Sequence, residues 1–488
     1  MGVAEKVKAF LKEVFFKKMN TENALGVEVD IQFTQKYIAQ WQSIYQGEPP
    51  WKEKCPFRLN AGKLICEYLA GYNTAELSYS VNGEDSKESE MIRSVFDECG
   101  FEENLLKLDE QSEGLGGGFL KVYNMGEKLS IDFVTAGNFY PTAWNSKRIT
   151  EGIFVSIYPK GKLKYTRLEH HSFQKEHGET VLVIANRLFV SGKDGDTLGK
   201  EVDLGTLEET AALVPEARFK RDKPLFSVLY PAVVNNLDSN SPLGISRFAN
   251  SISTLEAIDR AFSHLQKERE LSKKKIIAPA SWFKQKIDND GFHQTRYDNE
   301  TDIYQKVSAL SPETQQPFGW DPTFRISECV ADINANLNLL CLQTGLSNGS
   351  LSFDLQTNGV KTAEEVRSEN SKTFRTVGKN QKVLSEAIKD LIEALLFLAT
   401  EVEEFRLFYG LNPLEKAPEI LVNFDDSIVP DRASYIKEGR ELASDERIST
   451  FTFLTKYLQM TEEDAKAEME RIKAEKPTVP DIYQITEG

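Results

Sequence analysis

Hydrophobic and polar positions follow two rhythms along this chain, and the changeovers divide it. Val3, Val7, Phe10, Leu11 and Phe15 recur at helical spacing with lysines between them, which predicts an amphipathic helix over residues 3–18. Packing on its own domain is favoured over a membrane surface. Helical stretches follow at 33–45 and 87–109. From Phe119 to about Val190 the period shortens. FLKVYN, KLSIDFV, GIFVSIY, KYTRLEHHSF and TVLVIANRLFV are β-rich runs separated by turns such as MGEK, PKGK and KEHGE, which predicts an antiparallel meander.

Helical spacing returns after Asn250. On a helix spanning about 251–275, Leu255, Ile258, Phe262 and Leu265 gather on one side, and Arg260, His264, Lys267 and Lys274 lie near the other. Pro279, Gly291, Pro312, Pro317, Gly319 and Pro322 then interrupt the pattern, with β-prone KIIAPASWF and DIYQKVS between them, and predict a small projecting subdomain. A second helix, 323–346, spaces Ile326, Val330, Ile333, Leu337 and Leu340 alternately by four and three, a packing seam. After the polar loop SNGSLSFDLQTNG (347–359), Lys361 to Phe405 contains no proline. It repeats Leu384, Ile388, Leu391, Leu395, Leu398, Val402 and Phe405 in the same rhythm, predicting a helix on the order of 65 Å long with Gly378 as its bend. Beyond Pro430, helices are expected near 431–445 and 449–459, then Thr461 as the cap of TEEDAKAEMERIKAE. Residues after Lys476 read as a loose tail.

Composition narrows the function classes. A chain of 488 residues exceeds what one core serves, so at least two packed regions are expected. Hydrophobic residues at 40% and charged residues at 27% exclude a disordered or fibrous chain. No window approaches the ~18 apolar residues of a membrane span; the best, Ile388 to Leu398, still contains Lys389, Asp390 and Glu393. Lys plus Arg total 59 against 75 acidic residues, a net charge of -16, which disfavours a tight nonspecific grip on phosphate. Any nucleic-acid contact is expected to be local or weak. Cys55, Cys66, Cys99, Cys329 and Cys341 are scattered without CxxC spacing, arguing against a disulfide framework or a zinc site and for a reducing compartment. The N-terminal stretch lacks the apolar core of a signal peptide, and Lys6 stands where a myristoylation signal needs Ser or Thr.

Candidate chemistry is sparse. EGLGGGF (113–119) lacks GxGxxG spacing and leads into a β run, so a tight entry into the meander is favoured over a phosphate cradle. GKDGDTLGK (192–200) has its glycines too close for a P-loop and reads as a turn. His170 and His171 fall on opposite faces of a strand, which favours solvated histidines over a metal site, with His177 nearby in sequence. Asp425 and Asp426 are candidates for a divalent cation, though capping and turn formation are favoured. No GxSxG elbow or triad context accompanies the serines and histidines, so neither an enzyme nor a cofactor is expected. The basic stripe on helix 251–275 is, on its own, a solvated face.

Three segments carry a resemblance. NSPLGISRFANSISTLEAIDRAFSHLQKE (240–268) is similar to the segment leading into the first stem helix of tailed-bacteriophage portal proteins of the siphophage type, also called minor capsid proteins or head-to-tail connectors. GVKTAEEVRSENSKTFRTVGKNQ (359–381) resembles the start of that family's long helix, with Glu364 in place of a threonine in its TATEV-like string. TKYLQMTEEDAKAEMERIKAE (455–475) resembles its crown, and with GLGGGF ahead of the meander the similarity covers nearly the whole chain.

The resemblance implies an α+β, mainly helical portal fold. Residues 1–250 would form a β-rich wing, 251–275 and 323–346 a two-helix stem, and 276–322 a small α/β clip. Residues 347–359 would be the tunnel loop, 360–430 a long kinked wing helix and its return, 431–476 a helical crown and 477–488 a flexible tail. It further implies a non-enzymatic ring, typically of twelve subunits, at one capsid vertex of the virion. Assembled in the host cytoplasm, such a ring passes double-stranded DNA and meets the terminase large subunit, a head-completion adaptor, and the major capsid and scaffolding proteins. Arg260, His264, Lys267 and Lys274, with Asn348, Ser350, Ser352, Phe353, Gln356 and Asn358 of the loop, are the channel candidates. Ile326, Val330, Ile333, Leu337, Leu384, Ile388, Leu391 and Leu395 are the expected oligomer-packing positions. Rival readings are a cytoplasmic self-assembling scaffold or filament, and a carboxylate-metal hydrolase built on Asp425 and Asp426.

Overall fold

The computed structural model describes the chain between residues 31 and 475, outside 193–198, 354–368, 425–431, the connections between short strands in 274–322, and a few single positions. The expected helix at 3–18 and the tail lie outside the described residues. Two compact units emerge, one of residues 1–359 with 369–423, the other of 360–368 with 424–488.

The first unit opens with α1 (Ile31–Tyr45) and α2 (Ala61–Asn73), which buries Ile65, Cys66, Leu69 and Ala70. The helix expected over 87–109 is two helices, α3 (Lys87–Cys99) and α4 (Phe101–Leu115). Gly100 separates them with φ 59, a left-handed conformation that ends one helix and begins the next. Ser86 caps α3 by accepting from Ser89 N at 3.0 Å, with Glu88 and Glu90 favourably placed in the first turn. α4 ends at Gly116 (φ 82), where an added Cβ would lie 2.9 Å from the backbone of Gly244 and Ile245. The glycine cluster therefore serves close chain passage and the entry into strand structure.

The meander divides into two sheets. β2 (Gly118–Met125) and β3 (Lys128–Thr135) pair with distant β10 (Phe226–Leu229) in the order β10-β2-β3. β4 (Phe139–Asn145), β5 (Arg148–Lys160), β6 (Leu163–Glu176), β7 (Glu179–Gly192) and β8 (Lys200–Val202) run in sequence order, and β9 (Glu216–Phe219) also pairs with β7. Phe119, Phe139, Phe154 and Phe226 interlock where the sheets meet, Phe139 and Phe154 with centroids 4.8 Å apart. β1 (Leu77–Val81) pairs with β16 (Ile420–Phe424) across most of the sequence, a pairing no local signal announces.

α5 (Ile252–Leu271) and α6 (Ile326–Thr344) bracket the expected small subdomain. There β11 (Lys275–Pro279) lies between parallel β14 (Tyr304–Val307) and antiparallel β15 (Phe318–Trp320), beside a β12 (Lys286–Ile287) and β13 (His293–Gln294) hairpin. α7 (Ser371–Glu401) passes through Gly378 as one continuous helix. The interruption falls instead at Val402, whose φ -87 and ψ 118 are extended, before α8 (Glu403–Tyr409). At 31 residues α7 is about 46 Å long, shorter than the rhythm suggested.

The second unit holds α9 (Arg432–Ser444), a helical segment over 450–457, and α10 (Glu462–Glu475). Ser449 caps the middle piece, its hydroxyl accepting from Thr452 N at 3.1 Å. Leu454, Tyr457 and Ala465 are buried, and Gly439 lies so close to the Tyr457 ring that a Cβ there would collide with it. The expected cap at Thr461 lies outside the described residues.

Candidate functional site

The elements expected to carry function are α5, α6 and the loop that follows. α5 buries Leu255, Ile258 and Leu265; α6 buries Cys329, Ile333, Leu337, Leu340 and Cys341. Ile326 is 50% exposed and Val330 half-buried, so the seam begins at Cys329. Two contacts fix the antiparallel register of the pair. Thr254 Oγ1 donates to Gln343 Oε1 at 2.9 Å near one end, and Arg325 Nε to Glu268 Oε1 at 3.0 Å near the other. Asp259 ties α5 to the α1–α2 connection by accepting from Trp51 Nε1 at 2.8 Å and Leu59 N at 3.0 Å.

The loop after α6 is built rather than loose at its start. Gly345 (φ 87) caps the helix, and Thr376 Oγ1 and Lys372 Nζ of α7 donate to Gly345 O and Leu342 O, both at 2.7 Å. Ser347 and Thr373 exchange hydrogen bonds, each backbone N–H donating to the other's hydroxyl at 2.9 and 3.2 Å. The chain then turns back along α6 on two carboxamides one turn apart: Gly349 N donates to Asn338 Oδ1 at 3.0 Å and Phe353 N to Asn334 Oδ1 at 2.8 Å. Phe353 packs edge-on against Phe262 of α5, centroids 5.9 Å apart. Asn348 and Ser352 are exposed, and Ser350 is half-buried with its hydroxyl 3.4 Å from that of Thr373.

A buried polar junction, which sequence reasoning missed, anchors this assembly. Arg247 Nε and an Arg247 terminal nitrogen donate to the two carboxylate oxygens of Glu113 at 2.6 and 2.9 Å, and Arg247 also donates to Asn380 Oδ1 at 2.8 Å. Asn380 Nδ2 donates to Glu113 at 2.7 Å and to Asn73 Oδ1 at 3.2 Å, and Asn73 Nδ2 to Asp109 at 2.8 Å. Side chains from α2, α4, α7 and the chain before α5 thus close one network. Burial, with the Glu113 charge second, pushes the Asp109 carboxyl up to about 7.

A second buried cluster joins the sheets. Lys121 Nζ of β2 donates to Glu169 of β6 at 2.7 Å, with Arg167 at 2.8 Å and His171 Nε2 at 2.9 Å from the same carboxylate. Burial raises the Glu169 carboxyl, but Lys121 and then His171 outweigh it and hold the group well below the ordinary range. His171 is fully buried, and that burial lowers its pKa. This corrects the expectation of a solvated histidine: the inward face of β6 carries His171 into the aromatic core, 5.3 Å from Phe154.

The family model for phage portal proteins, SPP1 Gp6-like, matches residues 57–479. The chain belongs to the phage portal protein family. No curated protein matches it in sequence. The portal-family chain is similar to solved chains from gene transfer agent (GTA) particles. One, from the virion of a native particle, has 12% identity and a TM-score of 0.40, covering 91% of this chain and 98% of that one. Another, from the neck of an empty particle computed with C6 symmetry, has 12% identity and a TM-score of 0.39, covering 85% and 90%. A third, from the neck of a native particle computed with C12 symmetry, has 12% identity and a TM-score of 0.37, covering 94% and 98%.

In this portal-family chain the expected site residues part company. Arg260, His264 and Lys267 share the exposed face of α5, though Arg260 is held by Glu256 at 2.7 Å. Lys274, Gln356, Asn358, Asp425 and Asp426 lie outside the described residues, and among those described no metal-holding group of His, Cys, Asp or Glu is found. Ile333, Leu337, Leu384, Ile388, Leu391 and Leu395 are all buried within the single chain. Their four-three rhythm records packing against the chain's own elements, a correction to their assignment between subunits: a side chain covered inside one copy has no surface left for another. The five cysteines are free, and among the described residues no helix is long and apolar enough to cross a membrane.

Proposed function

We propose that the chain is a structural, non-catalytic subunit of a closed ring at a capsid vertex of a virion, a conduit for packaging and ejecting double-stranded DNA. The single observation that carries this reading is the family match across residues 57–479. Support comes from the antiparallel pair α5 and α6, joined by the 274–322 strands at one end, with a polar loop running on from α6 at the other. In this reading the pair forms the stem and the strands between them the clip. The 347–359 loop borders the channel, α7 and the β-sheets form the wing, and 431–476 the crown. Twelve copies, a terminase large subunit and then a head-completion adaptor on the clip, and capsid and scaffolding proteins around the wing complete the assembly, which forms in the host cytoplasm.

The physical logic is weak attraction. A duplex that must slide cannot be gripped: six to ten phosphate contacts change affinity by ~10³ to 10⁵ over a modest salt range. A net charge of -16 and a loop offering Asn348, Ser350, Ser352 and backbone groups rather than cations suit passage. Negative-stain microscopy of the purified protein tests the ring: closed particles with a central hole support it, and open filaments would refute it. Deleting residues 350–357 is expected to permit rings but impair packaging; packaging at the parental level by that deletion would remove the loop from the mechanism.

A further inference from the structure

The exposed faces of α5 and α6 are opposite in charge and matched in height. On α5, Arg260, His264 and Lys267 form a basic stripe; on α6, Glu328 and Asp332 form an acidic one that runs on into the small side chain of Ala335, and all six are solvent-exposed. At about 100° per residue each stripe lies away from its helix's buried positions, Ile258 and Leu265 on α5 and Ile333 and Leu337 on α6. The Thr254–Gln343 and Glu268–Arg325 contacts fix the register, and interpolating between them sets Arg260 level with Ala335 and places Glu328 and Asp332 about two residues, ~3 Å along the axis, from the heights of Lys267 and His264, within reach of those side chains. Among the described residues no ion pair joins Lys267 to Glu328, although their heights on the adjacent helices differ by only ~3 Å. Among the described residues Glu328 accepts from Ser327 Oγ at 3.0 Å, and Asp332 from the carboxamide of Asn336, at 3.1 Å to Oδ1.

We propose that the basic stripe of α5 docks on the acidic stripe of α6 of a second copy of this chain. Rotation about an axis along the helix pair brings equal heights of neighbouring copies together, so Lys267 meets Glu328 and His264 meets Asp332. Arg260, already held by Glu256 of its own helix, faces Ala335 and needs no partner there. In this arrangement each copy offers one stripe to each of its two neighbours. The contact is head-to-tail, the type that does not stop at a dimer and that closes into a ring where the rotation between copies closes. Complementary charge at this position sets register and rejects misaligned copies more than it adds affinity. The inference rests on the ring reading above, and it gives the α5 stripe a protein partner instead of the duplex.

Disulfide trapping tests it in the full chain, in a Cys99→Ser background, since the other four cysteines are buried. Lys267→Cys with Glu328→Cys is expected to give, under oxidation, a non-reducing ladder of covalent oligomers running up to the ring. Either single cysteine variant is expected to give none. Independently, Lys267→Glu and Glu328→Lys should each lower the salt concentration at which rings dissociate, and the double swap should restore it. Intact rings by microscopy with no ladder and no rescue would overturn the docking and leave the ring standing. Failure of the parental protein to form rings at all would overturn the ring reading itself. A Lys267→Glu variant that assembles normally but loses duplex binding would hand the stripe to DNA and end the proposal.

Discussion

Arg247 and Glu113 stand 134 residues apart and are 6% and 1% exposed, so each neutralises the other where water cannot. Arg247→Ala leaves a buried carboxylate without its partner, an expected loss of ~3–5 kcal/mol, read by equilibrium denaturation. A paired Arg247→Met, Glu113→Leu replacement should cost much less, because no charge is then stranded. Asp109 gives a signed pH dependence. Its folded pKa is raised to about 7 from 3.8, so the folded form holds the extra proton between those values. The stabilisation is complete below about pH 4 and is lost as pH rises through 7. His171, lowered from 6.5 by burial, works in the opposite direction, with stability lost as pH falls below 6.5 toward its folded value. The two overlap, so the diagnostic is a difference: Asp109→Asn should remove the decline in stability between pH 4 and 7 while leaving the His171 contribution. Parallel profiles for variant and parent would refute this.

At the scale of elements, two glycines with opposite roles make a paired test. Gly116 ends α4 at φ 82, and its missing Cβ makes room for the backbone of Gly244 and Ile245. Gly116→Ala costs ~1–2 kcal/mol for the left-handed conformation alone and more for displacing backbone, so a thermal melt should fall sharply or the protein should fail to fold. Gly378 sits inside α7, and a Cβ there meets nothing within 4 Å. Gly378→Ala should therefore stabilise by roughly 0.8–1 kcal/mol, the propensity difference in a helix interior. A loss of stability, or rings that no longer close, would show that function draws on bending at that position.

For the whole molecule, the acidic balance and a loop without cations set the nucleic-acid interaction of the proposed conduit. Duplex binding by the assembled protein should be weak, and its log–log salt slope should fall well short of the about -10 of a protein that grips many phosphates. Titration of a labelled duplex across a salt series reads that slope directly. A steep slope would mean that cations concentrate on the channel, contrary to a sliding conduit.

Periodicity determined the gross plan: the β-rich middle, the helix pair around a projecting piece, and the helical end. Each follows from spacing within a few residues, which the sequence states directly. The resemblance carried by 240–268, 359–381 and 455–475 also reached the family before any coordinates. Tertiary structure decided what lies between distant residues. It paired β2 with β10 and β1 with β16, and it closed the Arg247, Glu113 and Asn380 junction. It also turned His171 inward and committed Leu384 and Ile388 to the chain's own core. Sequence records that a position is apolar or charged. Only the packed chain supplies the partner, because burial and pairing belong to two positions at once and the separation between them leaves no local trace.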